Sequence, residues 1–388
     1  MTYIRRSIEK RLKRLLRTFP AVLVYGPRQC GKSTLVREVF PGWHHIDLER
    51  PADLQILAAD LEGFFDVHPR RVAIDEAQRL PELFPVLRYV IDQSPQKGRF
   101  LILGSANPTL VKTVSETLAG RIATLELTPF LTAELADTKK SENRWYFGGF
   151  PPVHALRGNK ARLEWLDSYV TTYLERDLPA LGLSLPPQRL RILWQMLTHV
   201  HGNLLNISDL ARSLGVTAPT VSHYLDVLES TFMIRRLPPY HANVQKRLTK
   251  RPKIYVRDTG LLHFLAGLRT PKDLSTWARL GASFEGLVIE ELSTLAAEQT
   301  VRPEIHFWRT QSGAEVDFLL VQGRRILPIE IKLGAAVNQY AVAGLRQCMK
   351  DLKLKRGWIV NSSKEHRKVG RGIEVVPWQS IIRRDFRF

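Results

Sequence analysis

Over the first third of the chain, short apolar runs alternate with stripes of helical spacing. Ala21 to Tyr25 is a strand-like run bounded by Pro20 and Gly26, and Thr34 to Phe40 behind it repeats apolar residues at helical spacing. Trp43 to Leu48 predicts a second strand, with a helix from Pro51. Arg70 to Glu76 predicts a third strand. Pro81 to Asp92 then predicts a helix with Leu83, Val86, Leu87 and Val90 on one face. Phe100 to Gly104 and Thr124 to Leu127 complete the series, and residues 1–20 read as a basic amphipathic helix ahead of it. Strands alternating with helices predict an α/β core, a mostly parallel sheet covered on both sides.

The pattern then changes. Trp145 to Pro152 is an aromatic and glycine turn region whose rings read as core, and a helical pattern follows to Leu178. Asn206 to Thr217 reads as a short helix and a glycine turn. Ala218 to Leu228 reads as a second helix behind a threonine cap, with Pro219 near its start. Thr220, Ser222 and His223 make that second helix polar, as a DNA-recognition helix would be; the same module also serves protein contacts. Phe232 to Leu237 and Ile254 to Val256 predict two wing strands. Their connection carries Lys246, Arg247, Lys250, Arg251 and Lys253, a set suited to phosphate contacts. Beyond Ser283 the pattern is a helix from Phe284, a hairpin turning at Ser312-Gly313, and a strand from Ile326 to Lys332.

Composition narrows the partners. At 388 residues the chain predicts two or three domains, and no apolar run approaches the ~18 to 20 residues of a membrane span. A formal net charge of +19 favours a polyanion, nucleic acid before an acidic membrane surface. Two cysteines form no disulfide framework, which suits a reducing cytoplasm.

The chemistry concentrates at three places. Gly26-Pro27-Arg28-Gln29-Cys30-Gly31-Lys32-Ser33, with Thr34 opening the helix behind it, fits a phosphate-binding loop. Its glycines let the backbone approach phosphates at a helix N-terminus, Lys32 would reach the β/γ-phosphates of ATP, and Ser33 would hold Mg²⁺. Asp75 and Glu76 close the third strand, Asp75 to support the Mg²⁺ and Glu76 to polarise the attacking water. Ser105 and Asn107, after the fourth strand, read either as sensors of the γ-phosphate or as a helix cap. Arg121, on a glycine turn, reads either as a finger offered to a neighbouring subunit or as a surface arginine. In the last third, Asp317 and Glu330 could bind a second Mg²⁺ or Mn²⁺ with Lys332 beside the hydrolytic water, or simply be solvated strand residues.

Together these residues resemble a prokaryotic group of AAA+ ATPases that join a P-loop core to a C-terminal domain of unknown function. The resemblance is carried by 26–33, 74–78 (IDEAQ), 103–105, 118–121 (LAGR), 148–151 (GGFP), 175–177, 258–261 (DTGL), 284–285, 308–310 and 315–317 (EVD). It implies an ATPase core over 1–130, a helical lid over 131–190, a winged helix over 191–257 and a restriction-endonuclease-like α/β domain over 258–388. In that last fold Glu285, Asp317, Glu330 and Lys332 match the helix carboxylate, metal carboxylates and strand lysine of a nuclease. The expected activity is ATP hydrolysis coupled to moving or remodelling DNA, branched DNA such as Holliday junctions included, by a homo-oligomeric ring, a hexamer. The alternatives are a metal-dependent nuclease gated by ATP and an ATP-switched DNA-binding regulator.

Overall fold

Five short strands, the central three of them apolar runs, assemble in the computed structural model into one parallel sheet. The structure describes residues 3–105, 114, 116–136, 144–180, 185–241, 251–337 and 339–382. The strands β1 (Ala21–Gly26), β2 (His44–Asp47), β3 (Val72–Asp75), β4 (Phe100–Ser105) and β5 (Ile122–Glu126) lie in the order β2-β3-β4-β1-β5. All four neighbouring pairs are parallel. Strands β3 and β4 are buried throughout and β1 nearly so, which is why they read as continuous apolar runs instead of alternating ones.

Each face of this sheet has its own core. Val22, Val24, Leu101 and Leu103 pack with Leu35 and Val36 of the helix Lys32–Val39 and with Leu12 of the helix Glu9–Leu16. Leu23, Ile74 and Ile102 pack on the other side with Leu83, Leu87 and Ile91 of the helix Leu83–Gln93. The register sets Gly26 beside Ser105 and Asp47 beside Asp75, so the carboxyl ends of β1, β3 and β4 present the chemical residues together. That edge is where such sheets bind ligands. The N-terminal helix is shorter than the basic pattern implied, spanning only Glu9–Leu16, with Leu12 and Leu16 buried in the core and Leu15 packed against it.

The chain divides into two compact units: Met1–Phe130 with Phe150–Ala155 and Ser230–Phe232, and the remainder. The second unit opens with helices. Asn159–Thr172 runs into a π-helical turn, Tyr173–Asp177, and Pro187–Val200 follows. The helix-turn-helix is present as Ile207–Leu214 and Ala218–Ser230, with the Asn206 side chain capping the first and the Thr217 hydroxyl accepting from the Thr220 amide at the start of the second. Strands β6 (Ile234–Leu237) and β7 (Lys253–Val256) pair antiparallel. The aromatic stretch forms a short helix, Arg144–Phe147, and Tyr146 and Phe147 are buried as core.

A second, mixed sheet holds β8 (Glu304–Arg309), β9 (Glu315–Gln322), β10 (Arg325–Lys332), β11 (Gly357–Asn361), β12 (Arg367–Lys368) and β13 (Ile373–Pro377) in the order β12-β13-β11-β10-β9-β8. Alternation along β9 divides its burial. Phe318 and Leu320 join Leu287 and Val288 of the helix Leu280–Ala297, whereas Leu319 and Val321 join Val342 and Leu345 of the helix Gln339–Asp351.

One sequence expectation fails here. Lys253 is not part of a solvated basic wing. It opens β7, is 3% exposed, and points into the unit with the carboxylates described below. Lys246, Arg247 and Lys250 lie outside the described residues, and Arg251 is exposed.

Candidate functional site

The turn between β1 and the helix Lys32–Val39 is shaped by two glycines. A Cβ at Gly26 would fall 2.1 Å from the Leu127 carbonyl oxygen, and Gly31 has φ of 99°, a conformation an L side chain rarely adopts. Gly31 leads directly into the helix, so the helix N-terminus opens onto the turn. The Lys32 ammonium, itself buried, donates to the carbonyls of Gly26 at 3.1 Å and Pro27 at 2.9 Å. Arg28 lies 3.8 Å from Glu49.

The Ser33 hydroxyl donates to the Asp75 carboxylate, which the Glu76 amide also caps at 2.9 Å. Burial pushes the Asp75 carboxyl up, and the Ser33 hydrogen bond opposes that shift. The donor set fits a magnesium–nucleotide: a hydroxyl and a carboxylate side by side, with an ammonium and a helix N-terminus at the same turn. Glu76 follows with φ of 54°, so the chain turns left-handed at the residue that projects from the strand end. Its carboxylate accepts from the Ser105 hydroxyl at 3.0 Å and from the Gln78 amide, which also donates to Ser105 at 2.9 Å. Ser105 therefore belongs to the Glu76 constellation; Asn107 lies outside the described residues.

Gln78 and Arg6 are site residues that motif spacing alone did not single out. Arg6 is buried and donates to the Cys30 carbonyl at 2.9 Å and the Thr128 carbonyl at 2.5 Å, with its guanidinium 4.8 Å from the Phe130 ring centre. It fastens the phosphate loop from behind. Nothing in the sequence separates it from the other arginines of the basic N-terminus. Gln78 had a signal, two residues past Glu76 on a turn. Next to the loop is a largely apolar cavity of about 260 Å³, lined by Tyr3, Ile4, Thr34, Phe130 and Pro151. Cys30 is fully buried, and burial pushes its thiol up, as suits an inert side chain packed behind the loop. Arg121 makes a bidentate ion pair with Asp92, at 2.6 and 3.0 Å, on an exposed surface.

The second unit brings Glu285, Glu315, Asp317, Glu330 and Lys332 together, with Lys253 and Tyr255 added from β7. Glu330 and Lys332 share a strand face, as their spacing implied, and their side chains meet at 2.7 Å. Burial works against the Asp317 charge, but the Lys253 and Lys332 ammoniums outweigh it and hold its carboxyl below the usual range. Burial and the neighbouring Asp317 charge push Glu330 up to about 8 and Glu285 up to about 7. The second Glu330 oxygen, Oε2, is buried without a hydrogen-bond partner among the described residues. Among the described residues no group of three or more His, Cys, Asp or Glu side chains is arranged to hold a metal ion.

Elsewhere two quoted motifs have structural roles. Asp258 accepts from the Gly149 amide at 2.7 Å and the Leu261 amide at 3.0 Å, tying 148–149 to 258–261. Thr220 and Ser222 are half-buried and His223 is exposed on the second helix of the helix-turn-helix.

Sheet order, phosphate loop and carboxylate pair define the class: the first unit is a P-loop, AAA-type ATPase core. The AAA domain family matches residues 18–136, and two families described as domains of unknown function, DUF8612 and DUF4143, match 138–272 and 280–381. Uncharacterized proteins Rv2008c of Mycobacterium tuberculosis and Mb2031c of Mycobacterium bovis are each 40% identical over 386 residues, covering 97% of this chain and 84% of theirs. The chain belongs to the family of those two proteins, with an AAA-domain core at its head. Among solved structures it is similar to the Walker-type ATPase paby2304 of Pyrococcus abyssi, at 18% identity and a TM-score of 0.49 over 68% of this chain and 96% of that one. Among the described residues no helix is long and apolar enough to cross a membrane.

Proposed function

We propose that the chain hydrolyses ATP at the Lys32–Asp75–Glu76 site and uses the turnover to move or remodel DNA. The observation that carries the first half is Ser33 bonded to Asp75 with Glu76 held one residue on by Ser105 and Gln78. Mg²⁺ would be held by Ser33 and, through its water shell, Asp75. When bound it would neutralise charge on the phosphates. Lys32 meets the β- and γ-phosphates, the amides behind Gly31 cradle them, and the Glu76 carboxylate accepts a proton from the attacking water. The cavity beside Thr34 takes the adenine base against Tyr3 and Phe130.

DNA is the partner that the +19 charge and the helix-turn-helix favour. In this reading 131–190 is a lid, 191–257 a winged helix with Thr220, Ser222 and His223 on its recognition helix, and 258–388 a restriction-endonuclease-like domain. Lys246, Arg247, Lys250 and Arg251 contact phosphates, and Arg121 exchanges Asp92 for a neighbouring subunit's nucleotide in a hexameric ring. The test is ATP turnover with no DNA, duplex, single strand and four-way junction. Stimulation by DNA, strongest with the junction, is expected, and it should fade as salt rises. Turnover indifferent to every DNA would overturn the DNA half and leave the ATPase half standing.

A further inference from the structure

The carboxylate cluster of the second unit already contains a cation. Lys253 Nζ lies 3.1 Å from Glu285 Oε1, 3.4 Å from Asp317 Oδ1 and 2.5 Å from Glu315 Oε1. Lys332 Nζ takes the other side, 3.5 Å from Asp317 Oδ2 and 2.7 Å from Glu330 Oε1. Both oxygens of Asp317 thus face an ammonium, and Oδ2 also accepts from the Ile331 amide at 2.9 Å. The Tyr255 hydroxyl donates to the Glu285 oxygen that Lys253 uses, and Arg309 takes the second oxygen of Glu315 at 2.7 Å. The lone pairs a metal would need are largely committed.

We propose that Lys253 is the resident cation of this cluster, occupying the place of a divalent metal, so that the β9–β10 edge binds and orders without cutting. A divalent ion at Asp317 would sit within a few ångströms of a buried ammonium, and like charges at that range repel strongly where water is excluded. Nor is the lysine free to leave. Its backbone is pinned in β7 against Leu237 of β6 and bridged to Leu204, and its ammonium lies 5.7 Å from the centre of the Phe307 ring. Lys253 and Tyr255 are two apart on one strand, so the same face delivers both to Glu285. The inference is independent of the nucleotide site.

The experiment is Mn²⁺ titration by calorimetry on the nucleotide-free full chain carrying Asp75→Asn, which silences the loop carboxylate. With Lys253 in place, no site tighter than about 1 mM is expected, the weak end of oxygen-ligand sites. Supercoiled plasmid should also survive Mg²⁺ and Mn²⁺ intact. Adding Lys253→Gln should create one site at least about tenfold tighter, lost again on Asp317→Asn. A tight Mn²⁺ site in the Lys253 protein that disappears with Asp317→Asn, or plasmid cleavage with the same dependence, overturns the proposal. So does a folded Lys253→Gln protein, checked by circular dichroism, that gains no metal. Should Lys253→Gln fail to fold, the Lys253 arm decides alone.

Discussion

The protein sets carboxylates beside a buried lysine twice, with opposite results. At the phosphate loop, Lys32 spends its hydrogen bonds on the carbonyls of Gly26 and Pro27, and Asp75 is met by a hydroxyl. The lysine is thereby available to an incoming phosphate, and the carboxylate to a metal's water shell. In the second unit Lys253 is placed among three carboxylates and ion-paired with all of them. A lysine aimed at backbone carbonyls makes a receptive site; one aimed at carboxylates closes it. The difference is whether the positive charge awaits an external anion or is neutralised within the fold.

The sharpest way to break this comparison is at Glu76. Glu76→Gln should retain ATP binding and lose about 10²- to 10⁴-fold in turnover, as loss of a general base does, while Lys32→Ala should lose binding or turnover entirely. Equilibrium nucleotide binding and steady-state phosphate release separate the two. Wild-type turnover in the Glu76→Gln protein would remove the hydrolytic reading.

Arg121→Ala should cost about 10³-fold in turnover if it acts as a finger in trans. Mixed with Lys32→Ala protein, it should recover part of that loss at interfaces pairing an intact loop with an intact arginine. No recovery in mixtures that exchange subunits by native mass spectrometry would confine Arg121 to its Asp92 pair.

The closed cluster predicts a stability effect where the open site predicts an activity effect. Lys253→Met leaves buried carboxylates without their partner and should destabilise the second unit by about 3 to 5 kcal/mol, read from chemical denaturation. Lys32→Met, which strands no paired carboxylate, should shift the same transition far less. Equal shifts would erase the distinction drawn here.

The smallest effect concerns acid. Burial would raise the Glu290 carboxyl, but the Arg235 and Arg257 guanidiniums overcome it and hold it at about 2 against an ordinary 4.5. A carboxyl depressed by folding contributes stability that is present above its unfolded value and lost as pH falls. Glu290 should therefore contribute about 3 kcal/mol at neutral pH, fading between about pH 4.5 and 2. In acid denaturation followed by circular dichroism, Glu290→Gln should flatten that limb; an unchanged slope would place the pH dependence elsewhere.

How much of this was legible beforehand follows from how local each feature is. The phosphate loop is contiguous: Gly26 and Gly31 meet backbone constraints within a few residues, so eight positions specify the turn. Strands β1, β3 and β4 announced themselves as unbroken apolar runs because the middle of a parallel sheet is buried on both faces, whereas β2 and β5, at its edges, keep exposed positions. The two helices over 207–230 were legible through their glycine turn and the Thr217 cap, which are also local; the Asn206 cap emerged only in the structure. Arg6 was not legible, because its partners at Cys30 and Thr128 are 24 and 122 residues away.

Lys253 shows the division most clearly. Near Lys246, Arg247, Lys250 and Arg251 in sequence, it is indistinguishable in type from a solvated wing residue. Its fate was decided by β6 pairing with β7, and by a helix and a strand, 32 and 64 residues further on, that bring Glu285 and Asp317 to it. The sequence by itself determined the elements whose signals are periodic or contiguous: the P-loop, the carboxylates at its neighbouring strand end, and the alternation of β9. Only the tertiary structure decided which charges meet. Charge pairing depends on distances set by long-range sheet assembly, and no local spacing records them.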